Sequence, residues 1–557
     1  MDTAARTNGA LRVAIIGGGV AGLSSAYYLM QRAQMLGEAV DIRLFEGKRT
    51  LGGAADTVVV DLGRYQVANG PQSHFLRWAD LGVNDANLAT YHLMKEMMTD
   101  IGFLQHMKPL QDTTCYHDPD NAFAWTDDSS LQDGVSDPEF SLANICNGRL
   151  LPLIRVVHRT ALDLIGHIGV AYTCGHFFQD CIDDPRAMLG EAADGLGIVI
   201  DWTAPDLAQL LCLVRDRYYF PRISAMYFAD PRGPATMPLQ APFEYYKLQE
   251  GSDAPQRCYF DHGAQHWLEA LANHLTASSS DNICLTISTG MSARVHVTAD
   301  SLTIRCADAD EAFDVCLMAT HADDAAQAID FGDSAAEFGA TVRDILGAVT
   351  YTRSYAVCHT ADAQLPASRN AWRTYNIPIR SAGDSRFPYR IDYVANLHQN
   401  DPANPIYDHA GLPVFFVSLV DDLNRIPRQE MLDRLTDVHA VPQAMLELLP
   451  ATTRAAMGEN SPVETGYRHE LGALAPELDR KAWTMFKHNV LDSSCIEAQV
   501  RIKELNLAWA SGCAGIPTAT TASRPALLFG GGWTCGAGLH EQCLQSSREL
   551  STLILPG

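Results

Sequence analysis

No Cys-x-x-Cys pair occurs in this sequence, although fourteen cysteines are spread from Cys115 to Cys543. That absence excludes the common zinc knuckles and thioredoxin-like dithiols. A chain of 557 residues is also too large to depend on disulfide staples. We therefore expect reduced, mostly buried thiols and a cytoplasmic protein. Basic charge is scarce: 41 Lys and Arg stand against 66 Asp and Glu, a formal net charge of −25. Such a chain repels phosphate backbones and anionic lipid surfaces, which argues against nucleic acid as a partner. No apolar run is long enough for a spanning helix. The longest near the start, Val13 to Met30, is broken by Gly17, Gly18, Gly19 and Gly22 and follows no basic segment, so no signal peptide is expected. A Gly-x-Ser-x-Gly elbow and a P-loop are both missing.

What is present is apolar material for a large interior. The hydrophobic fraction is 47%, which at this length implies two or three domains. Residues 12–17 read as a short buried strand, Ala21 to Gly37 as an apolar helix, and Asp41 to Glu46 as a second strand. Helical spacing recurs over Leu150–Ala171 and Asp206–Arg217, where Tyr218-Tyr219-Phe220-Pro221 is expected to stop the helix. Residues 238–248 read as a loop or irregular strand. Gln265–Ser278 reads as a helix, and short alternating stretches follow at 283–288, 293–297 and 302–306. A strand over Val315–Thr320 leads into a helix from about Asp323. Extended segments are expected at 350–359, 388–395 and 413–420, and a helix at about 428–448. The chain closes with a strand at Ala526–Phe529, a glycine cluster and a helix from about Leu539 to Leu553.

Gly17-x-Gly19-x-x-Gly22 follows the first strand and opens the first helix. The first glycine permits the tight turn, the second lets backbone approach a pyrophosphate, and the third lets helix pack on strand. Unpaired N–H groups at the helix start then face the phosphates. Glu46 ends the second strand, where a carboxylate can accept hydrogen bonds from a ribose and repel a 2′-phosphate. Strand, turn, helix, strand and acid in register predict a dinucleotide site. NAD and FAD share this fingerprint.

Gly52 and Gly53 lie six and seven residues past the acid. This resembles the Glu-x5-Gly-Gly pattern of the flavin-containing amine oxidase superfamily, which includes monoamine oxidases, protoporphyrinogen oxidases and phytoene desaturases. Further likenesses are Asp61-Leu62-Gly63 with Asn69-Gly70-Pro71, Phe260-Asp261-His262-Gly263 before a helix, and Asp314 to Thr320. Leu528 to Trp533 leading into Gly536-Ala537-Gly538-Leu539-His540-Glu541 is similar to the family's closing strand, turn and helix. The Gly-x-His-Glu version, with Trp372 to Asn376, His359 and Pro366, is most similar to bacterial amine-oxidase-like FAD-binding oxidoreductases. The sequence departs from the pattern at Thr50 and Ala54, where arginines are usual, with Arg49 one position early. It departs again at Cys543 and Ser547, where glycine is usual.

The resemblance implies an α/β fold, with a Rossmann-like FAD-binding domain of glutathione-reductase type and a mixed α+β substrate domain. The FAD domain is expected over 1–80, 255–335 and 501–557, and the substrate domain over 81–254 and 336–500. Gly17, Gly19, Gly22, Glu46, Arg49, Gly52, Gly53, Gly532, Trp533 and His540 are the expected cofactor contacts. His540 and His359 are the catalytic candidates, the latter paired with Asp362. Trp533 is a candidate flavin wall, and Trp372 and Tyr375 are candidate substrate walls or core residues. His262, His266 and His274 form a stripe without a carboxylate or cysteine cluster at a metal spacing, so no metal is expected. Cys513 and Cys535 are the thiols nearest a possible covalent flavin link.

The implied activity is hydride removal from a C–N or C–C bond of a small organic substrate, with O2 or another acceptor reoxidising FAD. Two alternatives stay open: an isomerase or hydratase acting on an unsaturated lipid without net redox, and a non-catalytic flavin-bound partner subunit. Homodimerisation is compatible with all three.

Overall fold

Val13, Ala14 and Ile15 are fully buried, and a strand apolar on both faces belongs in the middle of a covered sheet. Strand β1 (Leu11–Ile16) is the centre of a five-stranded parallel sheet. Its order is Ile283–Ser288, β2 (Val40–Phe45), β1, Val315–Met318, Ala526–Phe529. Each buried Val or Ile contributes about 1.5–3 kcal/mol, so this strand anchors the sheet. Helix α1 (Val20–Leu36) crosses from β1 to β2 and ends at Gly37, whose φ of 69° suits glycine.

The computed structural model describes residues 10–66, 72–110, 113–118, 123–126, 150–227, 233–249, 256–306, 310–363, 365–366, 369–378, 390–399, 414–435, 478, 480–510 and 526–556. Beside the parallel sheet lies a seven-stranded mixed sheet. Its order is Trp483–Asn489, Tyr351–His359, Phe416–Val420, Ile391–Val394, Tyr375–Pro378, Thr114–Asp118, Phe123–Thr126. A three-stranded sheet (Asp85–Asn87, Arg257–Phe260, Met107–Pro109) leads into helix Ala264–Ala277, which packs on α1. Helix His540–Ile554 packs along α1 as well. There Ser547 donates to the Ala21 carbonyl at 3.1 Å and meets Ser24 Oγ at 2.8 Å. Serine in place of glycine thus still allows a close helix pair, because its hydroxyl is bonded across the interface.

The expected strands match to within three residues and the helices that flank the parallel sheet to within one or two, while the helix expected over Leu150–Ala171 ends earlier, at Leu164. Three expectations fail. Residues 238–248 form most of a helix, Gln240–Gln249; Pro242 falls in its first turn, where a missing N–H costs nothing. The Tyr-Tyr-Phe-Pro sequence does not stop its helix. Leu207–Leu213 passes through a wider π turn, Val214–Tyr219, into Phe220–Tyr227. That turn gives the Pro221 ring the room an α turn would deny it. The helix expected from residue 428 is absent over 428–435, where turn and isolated bridges occur, and the rest of that stretch lies outside the described residues. Asn69-Gly70-Pro71 and Cys513 also lie outside them. Every cysteine among the described residues is a free thiol. Among the described residues no helix is long and apolar enough to cross a membrane.

Candidate dinucleotide site

The turn after β1 is shaped by its glycines. Gly17 has φ 114°, and its N–H donates to the Phe45 carbonyl at 2.8 Å, tying the turn to β2. A β-carbon on Gly17 would lie 2.5 Å from the Ala319 carbonyl oxygen, and one on Gly22 only 1.9 Å from that of Gly17. Helix α1 follows Gly19 with no side-chain cap and no acidic residue in its first turn. Its leading N–H groups therefore keep their positive character for an outside anion.

Glu46 is buried just past β2. One carboxylate oxygen accepts the Gly18 N–H at 2.6 Å and the other accepts the Lys48 N–H at 2.7 Å. These bonds hold the carboxylate at the turn, and each oxygen keeps a further lone pair for a hydroxyl donor. The second glycine pair lies against the first. Gly52 N–H donates to the Gly18 carbonyl at 3.1 Å, and a β-carbon on Gly53 would lie 3.0 Å from Gly19 Cα. Lys48 Nζ donates to the Gly53 carbonyl at 3.0 Å. Arg49 lies beside Gly290, at the turn after Ile283–Ser288. An uncapped helix start, two adjoining glycine turns and a fixed carboxylate fit a dinucleotide diphosphate and its ribose.

The C-terminal turn closes beside the same sheet edge. Gly530 N–H donates to the Met318 carbonyl at 2.9 Å, and Gly531 has φ 100°. Gly532 and Gly538 backbones touch: a β-carbon on Gly538 would be 2.7 Å from the Gly532 oxygen. Gln499 pins this turn. Its amide donates to the Trp533 and Gly536 carbonyls, both at 2.9 Å, and accepts the Gly536 N–H at 3.2 Å. Trp533 is fully enclosed in the core rather than displayed as a wall. A small cleft of about 60 Å³ lies between helices Gln240–Gln249 and Ser493–Ala510 and the turn at Gly536–Ala537. Glu244, Tyr245, Ile496 and Gln499 line it.

His540 opens the last helix but does not line that cleft. Its ring packs on Trp267 at 5.5 Å and Phe260 at 6.3 Å between centroids, and burial pulls its pKa down to about 4. It is a neutral imidazole enclosed by aromatic rings. Glu541 beside it has a role the sequence did not disclose. Its carboxylate accepts the Leu93 and Met94 N–H groups, at 2.8 and 3.0 Å, at the start of helix α2 (His92–Asp100). That helix has no side-chain cap of its own, so Glu541 caps it from 447 residues or more away. Glu541→Ala is expected to lower stability by about 1–2 kcal/mol, measured as a urea midpoint shift at unchanged m-value, with Glu541→Gln recovering part of it.

The expected acid/base pair of His359 and Asp362 is not assembled. Asp362 faces Arg369 at 3.5 Å on the surface. His359 is buried; its Nδ1 accepts the Ala361 N–H at 3.1 Å, which fixes the proton on Nε2. Nε2 then donates to Ser418 Oγ at 2.6 Å, and Ser418 donates to Asp392, held by Arg390. Burial first of all pushes the His359 pKa down to about 3. With both nitrogens bonded, His359 has no lone pair left for a substrate proton. Tyr375 donates to Asp85 at 2.6 Å, and Trp372 Nε1 donates to the Pro366 carbonyl at 2.8 Å. Asp80 is another residue the sequence did not single out. It caps helix Ala264–Ala277 through the Ala264 N–H at 3.0 Å, and burial raises its pKa to about 7.

Residues 15–81 match the NAD(P)-binding Rossmann-like domain family. No curated protein matches the sequence. Among solved structures, the chain is similar to a CLA-producing fatty acid isomerase from P. acnes, at 12% identity and a TM-score of 0.51 over 97% of this chain and 98% of that one. It is similar to cyclohexylamine oxidase from Brevibacterium oxydans IH-35A, at 11% identity and a TM-score of 0.50 over 98% of both chains. The protein therefore has a mixed α/β fold built on a Rossmann-like dinucleotide-binding domain. More narrowly, its overall fold is similar to that of these two solved structures.

Proposed function

We propose that the protein is an FAD-dependent oxidoreductase that takes a hydride from a C–N or C–C bond of a small organic substrate. The observation that carries the reading is the pairing of two glycine turns, Gly17–Gly19 and Gly52–Gly53, at an uncapped helix start beside Glu46. A single Rossmann turn serves any dinucleotide. A second glycine turn pressed against the first extends the side-chain-free surface, which suits a longer cofactor. FAD bound there would supply a hydride acceptor, with O2 or another oxidant restoring it.

The chain's own residues do the rest. The leading N–H groups of α1 orient the diphosphate, and Glu46 holds the ribose. Gln499 fixes the turn at Trp533–Gly536, which forms one side of the cleft. Tyr245 and Ile496 supply apolar surface that excludes water from a bound substrate.

The test is the visible spectrum of gently purified protein, followed by anaerobic addition of amines, amino acids and unsaturated lipids. A flavin spectrum bleached by one of these classes is the expected result. A colourless protein that cannot be reconstituted with FAD refutes the proposal. Turnover of an unsaturated lipid that needs FAD but no acceptor would replace it with an isomerase.

A further inference from the structure

The second glycine turn is held from behind by a buried side chain. Gln265 lies in the first turn of helix Ala264–Ala277 and is 3% exposed. Its Nε2 donates to the Leu51 carbonyl at 2.9 Å, and its Oε1 accepts the Thr57 N–H at 3.4 Å. The Leu51 carbonyl and the Gly52 N–H belong to one planar trans peptide, so they point to opposite sides. Gly52 N–H donates to the Gly18 carbonyl at 3.1 Å. One peptide is thus gripped on one edge by Gln265 and on the other by the first glycine turn. The grip matters because of the residues it precedes. Gly52 and Gly53 have φ of 129° and 60°, and glycine has more alternative conformations to fall into than any other residue.

Gln265 is itself fixed. Its backbone N–H donates to Thr57 Oγ1 at 3.2 Å, and that hydroxyl donates to Asp80 at 2.5 Å. Asp80 accepts the Ala264 N–H as well. Thr57 and Asp80 therefore satisfy the helix start through its backbone donors, without the Gln265 side chain. What the side-chain amide adds is confined to the turn at Leu51–Gly53 and the strand start at Thr57. Only one amide orientation serves both partners, with nitrogen toward the carbonyl and oxygen toward the N–H. We propose that Gln265 is a positioning residue for the cofactor: it fixes the Leu51–Gly52 peptide, and thereby the second glycine turn, along which the part of FAD beyond its ADP half extends. The inference rests on the FAD reading above and adds a residue that lies outside both glycine turns.

The test uses the full-length chain, stripped of flavin and titrated with FAD and, separately, with ADP. Each titration is read as a dissociation constant. Gln265→Met keeps an unbranched side chain of similar reach and loses both bonds. It is expected to weaken FAD about tenfold or more, the loss of one or two buried hydrogen bonds, and to leave ADP unchanged. Gln265→Glu keeps an acceptor for the Thr57 N–H but sets a carboxylate against the Leu51 carbonyl. It should likewise weaken FAD alone, and it serves as the test if Gln265→Met does not fold. A role in stability only would lower the urea midpoint without separating the two ligands. Asn376→Leu is the control for that effect. Asn376 is fully buried in the seven-stranded sheet and grips the Arg373 N–H and carbonyl at 3.1 and 2.8 Å. Its loss should lower the midpoint and leave both constants as in wild type. Gln265 variants that hold FAD as tightly as wild type, or that lose FAD and ADP in equal measure, overturn the proposal and leave the FAD reading standing. A wild-type chain that binds ADP but never FAD overturns both.

Discussion

Gly22→Ala is expected to leave the dinucleotide domain unable to close. The added carbon would sit 1.9 Å from the Gly17 carbonyl oxygen and 3.4 Å from Ile15 Cγ2. Neither neighbour can retreat. The Gly17 peptide is bonded to Phe45 and already at φ 114°, and Ile15 is fully buried in the central strand. Relief would require α1 to lift from β1, exposing Leu23, Ala26 and Leu29, none of which is accessible now. Overpacking by one carbon ordinarily costs about 1–3 kcal/mol, and a clash with fixed backbone belongs in the tail of about 4–5 kcal/mol. The measurement is the denaturation midpoint, or soluble yield if the variant fails to fold. Gly37→Ala is the control: φ is 69° but nothing lies within 4 Å of the added carbon, so only the left-handed strain of about 1–2 kcal/mol is expected. A Gly22→Ala protein as stable as wild type would mean that the turn is not built this way.

The contrast between these glycines explains what was legible in the sequence. Gly17, Gly22 and Glu46 lie within one βαβ unit, and local spacing fixes how such residues meet. The same holds for the burial of β1, which follows from an unbroken apolar run. What stayed hidden depends on residues far apart. Glu541 caps a helix whose N–H groups are 447 and 448 residues away, and His359 is tied to Ser418 across 59. No periodicity reports such pairings, and a histidine in an extended segment reads the same whether its nitrogens are free or bonded. The missed helix at Gln240–Gln249 has another cause. Pro and aromatic residues argue against a helix interior, yet Pro242 occupies the first turn and Phe243 and Tyr246 bury one face. Tertiary burial there outweighed local preference.

Gly19→Val should separate folding from cofactor binding. A β-carbon at Gly19 meets nothing closer than Gly53 Cα at 3.4 Å, an ordinary contact, and the backbone there is extended, with φ −83°. Valine tolerates that conformation, and the position precedes α1, so helix propensity is untouched. The protein is expected to purify folded, with an apoprotein melting temperature like that of stripped wild type. The new isopropyl group, however, occupies the face between the two glycine turns, at the positive end of α1. A diphosphate there must approach backbone within hydrogen-bonding distance, and a branched side chain holds it off. Losing several charge-assisted bonds of about 1.5–3 kcal/mol each predicts a colourless protein that added FAD does not restore at micromolar concentration. Absorbance near the flavin band and thermal melting, read on one sample, distinguish the outcomes. A folded, yellow Gly19→Val protein with full flavin content would move the diphosphate away from this turn, and the assignment of Glu46 to the ribose would fall with it.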